Sequence, residues 1–137
     1  MASEIFVDTS GFYACLISAD ACHPQAAAIM AESATSRRRF VTTDYVLDES
    51  ATLLKARGQG HLVEKFFDVV FESSACSVEW MNATHFSAVR AFFARHSDHE
   101  YSFTDCFSIH IMKQRGLRDA LTKDDHFREA GMNAMLI

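Results

Sequence analysis

Short, wholly apolar runs alternate along the chain with longer stretches in which apolar residues recur every three or four positions. The first run, Glu4-Ile5-Phe6-Val7, is β-branched and aromatic, ends at Asp8 and predicts a buried strand. Asp8-Thr9-Ser10 then offers three N-capping side chains to a helix through Phe12, Leu16 and Ile17. Pro24 suits the first turn of a second helix, Gln25 to Ser33. Arg39-Phe40-Val41-Thr42 predicts a second strand, after which Thr43 can cap a helix from Asp44 to Arg57 that stops at Gly58. A helix around Leu62 to Phe71, a strand Cys76–Trp80 and a helix Ala83–Ala94 follow. Thr104 to Arg115 predicts a further helix, ended by Gly116. Arg118–Thr122 and Asn133–Ile137 complete the strands, with a short helix around His126 to Ala130 between them. Strands alternating with helices imply an α/β fold of three layers, α/β/α, around a parallel sheet of about five strands.

Composition narrows this further. With 137 residues, 49% of them hydrophobic and 23% charged, the chain matches one globular domain spanning 1–137. One proline, five glycines and no low-complexity tract leave no linker. No secretory signal is expected from MASEIFVDTSGFYACL, and charges interrupt every apolar run well short of the ~20 residues of a membrane span. Cys15, Cys22, Cys76 and Cys106 form no CxxC pair, so reduced thiols in a cytoplasmic protein are the simpler expectation. The net charge of −5 argues against a broad electrostatic grip on nucleic acid. It leaves room for local phosphate binding through a metal held by acids.

In parallel sheets, ligands bind where strand carboxyl ends meet helix N-termini. Asp8 falls at one strand end, Asp124 lies just past another, and Asp105 opens a helix. In the helix from Asp44, the inward stripe is expected to be Val46, Ser50, Leu53 and Leu54, which Glu49 borders and Asp48 faces away from. Each acid also has a structural reading. Asp8 can cap a helix, Ser102-Phe103-Thr104-Asp105 matches a capping box, and Asp124-Asp125 suit a helical first turn. Four carboxylates at one sheet edge, however, repel one another unless a cation compensates.

Four segments carry a family likeness. Phe6-Val7-Asp8-Thr9-Ser10 resembles the opening motif of PIN domains, and Tyr45-Val46-Leu47-Asp48-Glu49 followed by Leu53-Leu54 resembles the second. Tyr101-Ser102-Phe103-Thr104-Asp105-Cys106 is similar to the third, and Ala120-Leu121-Thr122-Lys123-Asp124-Asp125-His126-Phe127 to the fourth. Order and spacing agree from residue 5 to 137, and the likeness is to the VapC-like toxins of bacterial toxin–antitoxin pairs. The resemblance implies a ribonuclease whose Asp8, Glu49, Asp105 and Asp124 bind metal, with Thr9 and Thr122 as supporting polar positions. It also implies an RNA substrate, a homodimer, and an antitoxin protein with a segment that crosses the active site. An all-oxygen donor set favours Mg²⁺ or Mn²⁺. Asp125 departs from the pattern, adding negative charge that Lys123 can offset.

Other features read as structural. His96-Ser97-Asp98-His99-Glu100 is expected to be a solvated turn. His110 and His126 are expected beside the site, His126 as a packing or capping element rather than a base. Arg37-Arg38-Arg39 is a strand entry and also the densest basic cluster for RNA or an acidic partner. The twelve phenylalanines are mainly core, with some left for a dimer seam or a helix-binding groove. Two rival functions are a non-catalytic binding module of the same fold and an aspartate-nucleophile phosphotransfer enzyme. The latter usually needs a second acid two residues after the nucleophile, where Ser10 stands. No GxGxxG or GxxxxGK[ST] supports nucleotide binding.

Overall fold

Strand β1 (Ile5–Val7) is buried at every position, as its unbroken apolar run requires. The computed structural model describes residues 3–137, and among them five strands and seven α-helices alternate as the sequence pattern predicts. After β1 come α1 (Thr9–Leu16), α2 (His23–Ser36), β2 (Phe40–Thr43), α3 (Asp44–Ala56) and, past a 3₁₀ turn at Gly60–Leu62, α4 (Val63–Glu72). Then follow β3 (Cys76–Glu79), α5 (Ala83–Arg95), α6 (Phe103–Arg115), β4 (Asp119–Leu121), α7 (Asp125–Glu129) and β5 (Asn133–Ala134). The sheet order is β3-β2-β1-β4-β5, with every neighbouring pair parallel. From β1 the chain builds outward to β2 and β3, then returns to lay β4 and β5 on the other side. Strand order therefore reverses at β1, and a crevice opens beyond the carboxyl ends of β1 and β4.

Alternation along β1 divides the core. Ile5 and Val7 point to a cluster with Ala14 of α1 and Ala26 of α2, whereas Phe6 joins Phe107 and Ile111 of α6 and Phe127 of α7 on the opposite face. A third cluster, Leu47, Leu54, Phe66 and Val70, seals α3 against α4. One close approach fixes α1 over the crevice: a Cβ on Gly11 would lie 2.0 Å from the Leu121 carbonyl oxygen. Only a residue without a side chain lets α1 sit this near the end of β4.

Local signals account for most boundaries. Thr43 accepts from the Val46 amide, and the left-handed Gly58 follows the end of α3. Three details differ from expectation. Helix α2 extends to Ser36, its Ser33, Thr35 and Ser36 hydroxyls bonding back to carbonyls four residues earlier, and it ends where Arg37 turns left-handed at φ 60°. Strand β5 is only two residues long, although the Met135 and Leu136 amides still donate to Ala120 and Thr122. The buried stripe of α3 is Val46, Leu47, Ser50 and Leu54, so Leu53 moves to its margin.

Candidate active site

Asp8 ends β1 and occupies the N-cap position of α1, yet its side chain caps nothing. It is 4% exposed, and its Oδ2 accepts a 2.9 Å hydrogen bond from the Thr122 hydroxyl. Burial pushes its carboxyl up to about 7; the Thr9 amide and the Thr122 hydroxyl pull the other way, and the Asp105 and Glu49 charges add to the rise. A desolvated carboxylate among other acids, with no cationic side chain bonded to it among the described residues, is a group in want of positive charge.

Thr122, fully buried just past β4, is the hinge of the site. Its hydroxyl proton goes to Asp8, so its oxygen accepts from the Asp124 amide at 3.0 Å and from the Ser10 hydroxyl at 3.1 Å. Ser10 in turn accepts from the Lys123 amide. One threonine thus ties the end of β1 to the start of α7. Thr9 has a different part. Its own hydroxyl is buried without a partner, and it acts on Asp8 only through its backbone amide.

Asp105 and Asp124 stand together. Asp105 completes the capping box of α6, exchanging 3.0 Å bonds with Ser102, and Asp124 is the N-cap of α7, accepting from the His126 amide. Between them lies His126, its Nδ1 2.9 Å from Asp105 and 3.2 Å from Asp124. Ligand atoms of these three residues all lie within 4.8 Å of one another. Burial disfavours the imidazolium, but the Asp124 and Asp105 carboxylates outweigh it and raise the His126 pKa above its ordinary value. The donor set here therefore includes a nitrogen, where the sequence suggested oxygens alone.

Glu49 reaches the site from α3. It lines, with Asp8 and Asp124, an open cleft of about 660 Å³, while the exposed Asp48 does not. Glu49 has no hydrogen-bond or ion-pair partner among the described side chains, and its charge is felt at Asp8. Three of the four acids, Asp8, Glu49 and Asp124, line the crevice, and no single shell forms: Asp105 stands behind His126, where it meets Asp124, Asp8 joins them through Thr122, and Glu49 occupies the facing wall.

A family model of the PIN domain matches residues 5–132. The chain belongs to the PIN-domain family. Two curated relatives are the 23S rRNA-specific endonuclease VapC20 of Mycobacterium tuberculosis from two strains, each 34% identical over 128 residues, 93% of this chain and 94% of the relative. The crystal structure of M. tuberculosis VapC20, a sarcin–ricin loop cleaving toxin, superposes with a TM-score of 0.83 at 28% identity, covering 98% of this chain and all of that one.

On this PIN fold several sequence expectations shift. His126 is no mere packing element, because it separates two carboxylates that would otherwise repel. His110 is not beside the site. It pairs with His85 of α5 at 3.2 Å, where burial and that neighbour lower its pKa. Asp125 is offset by Arg128 rather than by Lys123. Arg37-Arg38-Arg39 precedes β2 at the opposite sheet edge, and Arg38 is held by Asp119 and Ser3. The polar turn at 96–100 packs its His99 flat on Tyr101, and Glu100 lines the cleft. Tyr13 and Arg57 also line the cleft without having stood out in the sequence; Tyr13 lies on α1 and Arg57 is the C-cap of α3, both at positions whose helical periodicity was visible.

Proposed function

We propose that the chain is a divalent-metal-dependent endoribonuclease, the toxin of a type II toxin–antitoxin module, working in the cytoplasm as a single nuclease domain over residues 1–137. The observation that carries this reading is the buried Asp8 carboxylate, pushed up to about 7 and linked through Thr122 to the Asp105–Asp124–His126 group. Such a group fits a hard cation. Asp8, Asp105, Asp124 and Glu49 are the residues to hold it, and Mg²⁺ or Mn²⁺ suits carboxylate donors. When bound, the ion supplies Lewis acidity at the scissile phosphate and eases ionisation of water.

The protein's own groups complete the chemistry. Glu49, exposed on the cleft wall and unpaired among the described residues, completes the ion's shell or accepts the proton from the attacking water. Thr122 keeps Asp8 and the α7 N-terminus in register, and Lys123 provides positive charge at the cleft. Similarity to an rRNA-specific endonuclease over nearly the whole chain supports RNA as substrate, with 23S rRNA the first to try. A cognate antitoxin protein fits a chain similar to a named toxin, and a homodimer is proposed with it as the family resemblance implies. The binding-module alternative has no comparable use for a buried, unbalanced carboxylate.

The test is incubation of the purified protein with a mixed RNA pool and with 23S rRNA, in chelator and after Mn²⁺ addition. Discrete fragments are expected only with metal. Intact RNA in every condition, despite tight RNA binding, would favour the non-catalytic module.

A further inference from the structure

The cleft continues away from the acids along two helices. On α3, Glu49 and Leu53 line it, and so does Arg57, the C-cap residue that follows the helix; successive members of this row are four residues apart. They run up one helix face over roughly 12 Å. On α1 the facing wall includes Ser10 and Tyr13. Tyr13 packs against the Leu47–Leu54–Phe66 cluster, which fixes its ring, and the Arg57 guanidinium lies over that ring at 4.8 Å from the centroid.

Arg57 is also uncommitted. Arg38, Arg115 and Arg128 are each held by carboxylates, whereas Arg57 has no ion-pair or hydrogen-bond partner for its guanidinium among the described residues. Among the described residues, it and Lys123 are the only arginine and lysine lining a cleft whose other charged groups, His126 apart, are acidic. A guanidinium seated over an aromatic ring, with no carboxylate bonded to it, keeps N–H donors for a phosphate and a planar group on which a base can stack. A chain of net charge −5 binds RNA only where such cations are concentrated.

We infer that Tyr13 and Arg57 form a nucleotide subsite that grips the RNA strand beside the scissile phosphate. Arg57 bonds the neighbouring phosphate and stacks on its base, and Tyr13 is a positioning residue that presents the guanidinium. This rests on the nuclease reading for its substrate and deepens it. A purely structural clamp between α1 and α3 would use the same contact, so the test separates binding from stability.

Steady-state cleavage of a short RNA with Mn²⁺ is measured for wild type, Arg57→Ala, Arg57→Lys, Tyr13→Phe and Tyr13→Ala, beside RNA binding in chelator at several salt concentrations. Arg118→Ala, exposed at the amino end of β4, controls for loss of one charge. Arg57→Ala is expected to raise KM by roughly tenfold to hundredfold with kcat little changed. It should also reduce the salt slope of binding by about one. Arg57→Lys should fall between, keeping charge but losing the planar face, while Tyr13→Phe stays near wild type and Tyr13→Ala weakens binding. Arg57→Ala with unchanged KM and salt slope overturns the subsite, as does a loss of binding that merely tracks a fall in Tm. If wild type binds RNA but cleaves none, the nuclease reading fails and the chelator binding series alone decides the subsite. If it neither binds nor cleaves, both fail.

Discussion

Replacing Asp8 by asparagine separates charge from shape at the one acid the fold leaves unbalanced. The amide oxygen can still accept from Thr122, but the group no longer ionises. In the native protein the Asp8 carboxyl titrates near 7, against an ordinary 3.8. Between those values the folded state keeps a proton that the unfolded chain has released. Stability therefore falls as pH rises from about 4, and the loss is complete above about 7. At ~1.4 kcal/mol per unit the ceiling is about 4 kcal/mol, and relaxation and water entry should leave roughly half of it. In chelator at pH 8, Asp8→Asn should accordingly be more stable than wild type by about 2 kcal/mol, a Tm gain of roughly 5–8 °C. At pH 3.5, where Asp8 is protonated in the folded and the unfolded chain alike, the two should melt within about 0.5 kcal/mol of each other. Mn²⁺ should stabilise wild type more than the mutant. The assay is thermal unfolding of both proteins at both pH values, with chelator and with excess Mn²⁺. A mutant less stable than wild type at pH 8 in chelator, or one gaining equally at both pH values, would refute the reasoning.

The other acids should behave differently, since their partners differ. Asp105→Asn removes a charge that the α6 N-terminus and His126 both use, so it should weaken the chelated protein by about 1 kcal/mol in melts; a stabilised mutant would put Asp105 under the same repulsion as Asp8. Glu49→Gln should lower RNA cleavage at least tenfold, as loss of a proton acceptor does, whereas Asp48→Asn should leave it unchanged; equal losses would contradict the α3 geometry. Gly11→Ala should cost about 3 kcal/mol or prevent folding, because its Cβ meets the Leu121 carbonyl; a soluble variant with wild-type Tm would show that α1 can retreat.

What could be read from the sequence was what depends on near neighbours. The capping box at Ser102–Asp105, the Thr43 cap and the glycine stops are settled within four residues, and the structure has them all. Helical phase alone separated Glu49 from Asp48, though it misjudged Leu47, whose burial depends on where α4 packs. Alternation of elements was enough for the parallel α/β class and for putting Asp8 and Asp124 near strand ends, whereas the strand order and its reversal at β1 emerge only in the fold. The remaining features are contacts across the chain. His126 reaches Asp105 twenty-one residues back, and its charge matters only once two carboxylates meet. Gly11 is constrained by the carbonyl of Leu121, and β5 is short because only two of its residues stay in register with β4. Arg37-Arg38-Arg39 was noticed for its density, but topology sends it to the wrong edge of the sheet, while the solitary Arg57 gains its place from Tyr13.

The most direct measurement is the chemistry of the cut ends. Wild type and Asp124→Asn, stripped with chelator and then given Mn²⁺, are incubated with the same 23S rRNA fragment, and the new termini are identified. Attack by water at carboxylate-held metal predicts fragments with free 3′-hydroxyl and 5′-phosphate ends, formed by wild type only after Mn²⁺ and not by the mutant. Cleavage that persists in chelator, or that leaves cyclic phosphates from attack by the ribose 2′-hydroxyl, would contradict a metal site built on Asp8, Glu49, Asp105 and Asp124.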